Sequence, residues 1–108
     1  MISDHEKLID LPGSPFRIER LLDYQSGAVG SQTLVDEEGV TVTVFAFEEG
    51  ERLSEHTAPH DAIRQVVEDT AVVTISGTEH EVDAGETIVL PADEPHAVDA
   101  PSRFKMVR

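Results

Sequence analysis

Two stretches of the chain run from a glycine to a histidine. One is Gly50-Glu51-Arg52-Leu53-Ser54-Glu55-His56, and the other is Gly85-Glu86-Thr87-Ile88-Val89-Leu90-Pro91-Ala92-Asp93-Glu94-Pro95-His96. Each reads as a glycine turn, a short extended run and then an imidazole, a design that brings two imidazoles together. Imidazole ligates metals through either ring nitrogen and exchanges protons near neutral pH, so metal binding and proton handling are the chemistries in view. A catalytic zinc normally takes three protein ligands, and non-haem iron usually takes two histidines and a carboxylate. His56 and His96 alone are therefore a weak set, which His60, Asp61 or solvent would have to complete. Pro59 favours a turn just before His60, so that residue joins the set only if the chain stays extended. Ser54 lies near His56, yet no glycine-flanked nucleophile elbow is present and a Ser/His/Asp hydrolase is a poor alternative. His5, in the polar N-terminal stretch, reads as disordered, and His80, among the acids of Thr78-Glu79-His80-Glu81, reads as a solvated face residue.

The elements that must carry these histidines are strands. From about residue 25 onward, short runs rich in Val, Thr, Ile and Phe alternate with turn signals. Residues 31–35, 40–47, 52–57, 62–68, 71–76, 79–82, 86–90, 96–98 and 103–107 read as strands, separated by pairs such as Glu38-Gly39, Ser76-Gly77 and Ala84-Gly85. Residues 1–24 form an N-terminal arm with Pro12, Gly13 and Pro15, and residues 16–24 can hold one helical turn with Ile18, Leu21 and Leu22 on a face. Alternate residues of a strand share a face, so an unbroken strand through His56 puts Ser54 beside it and Leu53 and Glu55 on the other side. In Val40–Phe47 the valines and Ala46 share one face, and Thr41, Thr43, Phe45 and Phe47 share the other. Both faces are partly apolar, which implies a covered outer face or a second copy of the chain, and a homodimer is expected.

The chain has 108 residues, enough for one domain with one modest core. It has no cysteine, which excludes disulfides and thiolate metal sites. The net charge is -14, and the acids are spread through the chain between apolar positions, as on a folded surface. Nucleic acid and anionic membrane are thus unlikely partners, because both demand clustered positive charge. Residues 1–10 carry three acids and no long apolar run, so neither a signal peptide nor a membrane span is read there. The acidity reads as halophilic adaptation of a cytoplasmic protein, since molar salt shrinks the Debye length to about 3 Å and screens the self-repulsion.

Gly85-x5-Pro91-x-Asp93-x2-His96 resembles the second motif of the cupin superfamily, G-x5-P-x-G-x2-H-x3-N, with Asp93 for its second glycine and Ala100 for its asparagine. Gly50-x5-His56 resembles the start of the first motif, G-x5-H-x-H-x3-E-x6-G. That motif laid over this chain puts its second histidine at Ala58, its glutamate at Ala62 and its last glycine at Asp69. From Val42 to Met106 the chain is similar to small single-domain cupins of the RmlC-like, cupin 2 type, whose activity is largely unassigned. The resemblance implies an all-β fold, a double-stranded β-helix or jelly-roll barrel over residues 25–108, often dimeric.

In such barrels three histidines and a glutamate commonly hold iron, manganese, zinc, nickel or copper; only His56 and His96 carry over. Two classes of function follow. With a metal on His56, His96 and His60, the protein would be a dioxygenase, isomerase or decarboxylase of a small organic acid, with Arg64 orienting a carboxylate if it faces inward. Without a metal, the two imidazoles line a small pocket in which Ala58 and Ala62 leave room, and the barrel is a small-ligand binding module or a scaffold.

Overall fold

A computed structural model of the chain describes residues 13–108. His5 and the first half of the expected arm lie outside the described residues. One turn of 3-10 helix, Ile18–Arg20, precedes nine strands: β1 (Val29–Glu37), β2 (Val40–Phe47), β3 (Arg52–His56), β4 (Ala62–Glu68), β5 (Thr70–Ile75), β6 (Thr78–Asp83), β7 (Thr87–Leu90), β8 (His96–Asp99) and β9 (Phe104–Val107). The strands match the nine read from the sequence to within a residue or two at each end. They form two facing antiparallel sheets, β1-β2-β9-β4-β7 and β3-β8-β5-β6, a jelly-roll barrel. Among the described residues no helix is long and apolar enough to cross a membrane.

The inward face of each strand follows from its alternation. Phe45, Phe47, Val66, Val73, Val82, Leu90, Val98, Phe104 and Met106 meet between the sheets as the core. Phe47 and Phe104, paired across β2 and β9, stack with ring centroids 4.6 Å apart, a contact worth about 1 kcal/mol beyond the area it buries. The turns carry residues able to hold a left-handed backbone. Ser76 and Gly77 both have positive φ and close the two-residue hairpin between β5 and β6. Asp69 (φ 61°) and Asp93 (φ 65°) take the same conformation. These are the two positions where the cupin motifs have glycine and this chain does not, and aspartate is among the few other residues that tolerate that conformation.

The two-faced strand β2 is covered within the monomer over most of its length. Its inward face is core, and on its outward face Val44 and Ala46 are fully buried. Ala46 sits in register between Gly30 of β1 and Lys105 of β9, and the segment after the 3-10 turn packs on both of these neighbours. Leu22 lies against Gly30, where an added Cβ would meet its methyl groups at 3.6 Å. The Lys105 ammonium donates to the Glu19 carbonyl at 2.7 Å. Tyr24 closes the anchor: its hydroxyl donates to the Glu68 carboxylate, and Arg103 and Lys105 each lie 4.7 Å from its ring centroid. Burial first, and then Glu68, raise the Tyr24 pKa, so this hydroxyl stays a donor. The large apolar side chains that stay exposed on the outer face include Val40, Ile63 and Val89, at 53%, 60% and 53%.

Candidate functional site

β3 and β8 bring His56 and His96 together. Leu53 pairs with Val98 and His56 pairs with His96, so two residues of β3, Ser54 and Glu55, stand opposite Ala97 alone. That is a β-bulge, and it changes the face that His56 takes. Unbroken alternation puts Leu53 and His56 on opposite sides. The extra residue instead places both inward, Leu53 against the core and His56 beside His96. The bulge also holds the ring, because His56 Nδ1 lies 2.8 Å from the Ser54 carbonyl oxygen and donates to it.

The two rings meet edge to face with centroids 4.2 Å apart, and their Nε2 atoms are 3.0 Å apart. With a proton on its Nδ1, neutral His56 presents an Nε2 lone pair, which accepts from His96 Nε2. His96 Nδ1 stands 3.4 Å from the Glu94 carbonyl. His56 is exposed and His96 is buried. The His96 pKa is lowered, first by burial and then by His56, with smaller contributions from the charges of Arg64 and Arg108 opposing the Glu94 carbonyl.

Arg64 faces inward from β4, as its parity with Val66 requires, and is only 1% exposed. Its Nη1 meets only the Met106 sulfur, at 3.8 Å, and its Nε has no partner. Its pKa is pushed down to about 10, by burial first and by Arg108 second. Arg108 escaped the reading of the sequence. Its backbone exchanges two 2.8 Å hydrogen bonds with Thr43 just beyond the end of β9. Its guanidinium lies 5.2 Å from the Phe45 ring centroid. The signal was there in Phe104, Met106 and Arg108, three alternate residues that share the inward face. Among the described residues neither arginine has a carboxylate partner.

The remaining candidates are placed as follows. Ala62 is half-buried and packs against the core, and Ala58 is half-buried, its carbonyl accepting from the Asp93 N–H at 2.8 Å. His60 is exposed in the loop before β4 and lines a cleft of about 690 Å³ with Asp61, Val40, Val42, Ile63 and Arg108. The structure therefore brings His56 and His96 together and does not bring His60 to them. Among the described residues no group of three His, Cys, Asp or Glu is placed to hold a metal ion.

The donor set can be weighed against the metal that such barrels commonly hold. Two Nε2 atoms converge, and each ring's Nδ1 faces a backbone carbonyl, which suits two ligands of a metal. The rest does not suit one. Among the described residues no third histidine or carboxylate joins them, and the nearby charges include two guanidiniums, which repel a cation. The residues present do not make up a resident metal centre.

Two facing antiparallel sheets of nine strands, with paired histidines set inward across β3 and β8, define a cupin barrel. The chain belongs to the Cupin_2 family, whose cupin domain matches residues 43–107. A conserved protein of unknown function from Streptococcus pyogenes is 34% identical, with a TM-score of 0.73 over 77% of this chain and 73% of that one. A cupin 2 conserved barrel domain protein from Leptotrichia buccalis is 35% identical, with a TM-score of 0.82 over 85% of this chain and 45% of that one. A cupin superfamily protein from Desulfitobacterium hafniense is 25% identical, with a TM-score of 0.83 over 88% and 87% of the two chains. No curated protein matches the chain.

Proposed function

We propose that this cupin binds a small molecule inside its barrel without a resident metal, with His56 and His96 as polar contacts. One observation carries the reading. The two imidazoles face each other at 3.0 Å, and Ala58 and Ala62 stand where the family's other two ligands belong. Two neutral nitrogens with no carboxylate are a poor cation trap, but they supply a donor and an acceptor to a ligand that enters between the sheets.

Elemental analysis of untagged protein purified in high salt tests this. Metal well below one ion per chain is the expected result, unchanged by His60→Ala. Near-stoichiometric metal that is lost in His96→Ala would overturn the reading and make the barrel a metal site.

A further inference from the structure

We propose that the ligand is a small organic acid, and that the barrel grips its carboxylate with Arg64 from within the core and Arg108 from the edge of the cleft. This rests on the reading of the barrel as a metal-free ligand site. A fully buried guanidinium is normally paired with an acid, because desolvation of an unpaired ion is costly. Arg64 has no acid partner among the described residues, and its Nε is buried with nothing to donate to. None of the acidic residues among those described is paired with it.

The surroundings point the same way. Met106, which Arg64 touches, pairs with Phe45 across β9 and β2, and Arg108 covers the Phe45 ring. The two guanidiniums therefore flank one pair of core residues. His96 experiences both of their charges. Two cationic side chains and two imidazoles thus cluster on the inward face with no acidic side chain of the described residues paired to either arginine. On a surface of net charge -14 this is a local positive site, and the missing partner is an anion. The planar guanidinium offers parallel N–H donors that match the two oxygens of a carboxylate. Arg108 also lines the cleft between β2 and the loop before β4.

The test follows the Arg64 Nε–H resonance by NMR at pH 7 and fixed ionic strength in potassium chloride, on protein whose metal content has been measured. Acetate is the probe and acetamide its neutral counterpart. Acetate should move the resonance saturably with a midpoint on the order of millimolar, in keeping with its four non-hydrogen atoms, and acetamide should not. In Arg64→Met, followed through the Arg108 resonance, the acetate response should vanish. In Arg108→Gln, a change at an exposed side chain that keeps the test independent of how Arg64→Met folds, the midpoint should rise at least threefold. No saturable shift in metal-free protein, or an unchanged midpoint in both variants, would overturn the carboxylate site while leaving the metal-free reading standing. Tighter binding of inorganic phosphate than of acetate would also overturn it, in favour of a phosphate ligand. Stoichiometric metal in the starting protein, with acetate affinity that disappears when the metal is stripped, would overturn both.

Discussion

Arg64→Met should make the ligand-free protein more stable. Arg64 is 1% exposed and has no acid partner among the described residues, and its pKa falls from the ordinary guanidinium value to about 10. At 1.36 kcal/mol per unit, holding that charge in place costs the fold about 3 kcal/mol. Replacing a buried charge by an apolar side chain removes the cost but loses part of the stem's packing, so a net gain of about 1–3 kcal/mol is expected. For a domain of this size each 1 kcal/mol raises Tm by roughly 4 °C or more. The sign with pH is a second signature. The folded pKa lies below the unfolded one, so the cost is fully present below about pH 10 and is relieved only as pH rises above it. The gain in Arg64→Met should therefore be the same at pH 6 and pH 9. Thermal melts by circular dichroism, in potassium chloride without carboxylate or phosphate buffer, read it directly. A lower Tm for Arg64→Met than for the parent would refute the reasoning, because it would mean that the guanidinium supports the fold and is not held in reserve for a ligand.

Four further predictions concern the rest of the molecule. Asp93→Gly should match or exceed the parent in stability, and Asp93→Val should lose about 1–2 kcal/mol, the usual cost of a left-handed backbone; equal denaturation midpoints for the two variants would refute this. His96 has a lowered pKa, so as pH falls through about 6.5 the unfolded chain takes up the proton first and the folded state loses stability. Denaturant titrations should show a smaller loss between pH 7 and pH 5 in His96→Gln, and equal losses would argue against it. With a net charge of -14, the halophilic reading expects Tm to climb steeply from low to molar potassium chloride, and a flat profile would sink it. We propose that a homodimer, with its charges screened, uses the exposed apolar side chains Ile63, Val89 and Val40; Ile63→Glu should shift sedimentation toward monomer, and a parent that sediments as a monomer at micromolar concentration in high salt would end that proposal.

The fold was legible because its signals are local. Period-2 runs and turn pairs mark all nine strands, and a two-residue turn such as Ser76-Gly77 specifies a hairpin from its own dihedral angles. The motif spacing gave more than it promised. Asp69 and Asp93 looked like departures from the cupin pattern, yet both hold the positive φ for which glycine is usual there. The two-sided character of β2 was also visible, but what covers it was not. The answer depends on Leu22, Tyr24 and Glu19 reaching β1, β4 and β9, and the last two contacts join segments far apart in the chain.

The site divides along the same line. Sequence alone determined that His56 and His96 belong to one constellation and that Ala58 and Ala62 leave it short of ligands, since residue types and spacing are covalent facts. It could not set the face that His56 takes, because a bulge is a property of the β3–β8 pairing and one extra residue reverses strand parity. Nor could it separate Arg64 and Arg108 from the arginines that pair with surface acids, such as Arg103 with Glu48 at 2.9 Å. An arginine becomes informative when it is buried without a partner, and burial is decided only when two sheets close around it.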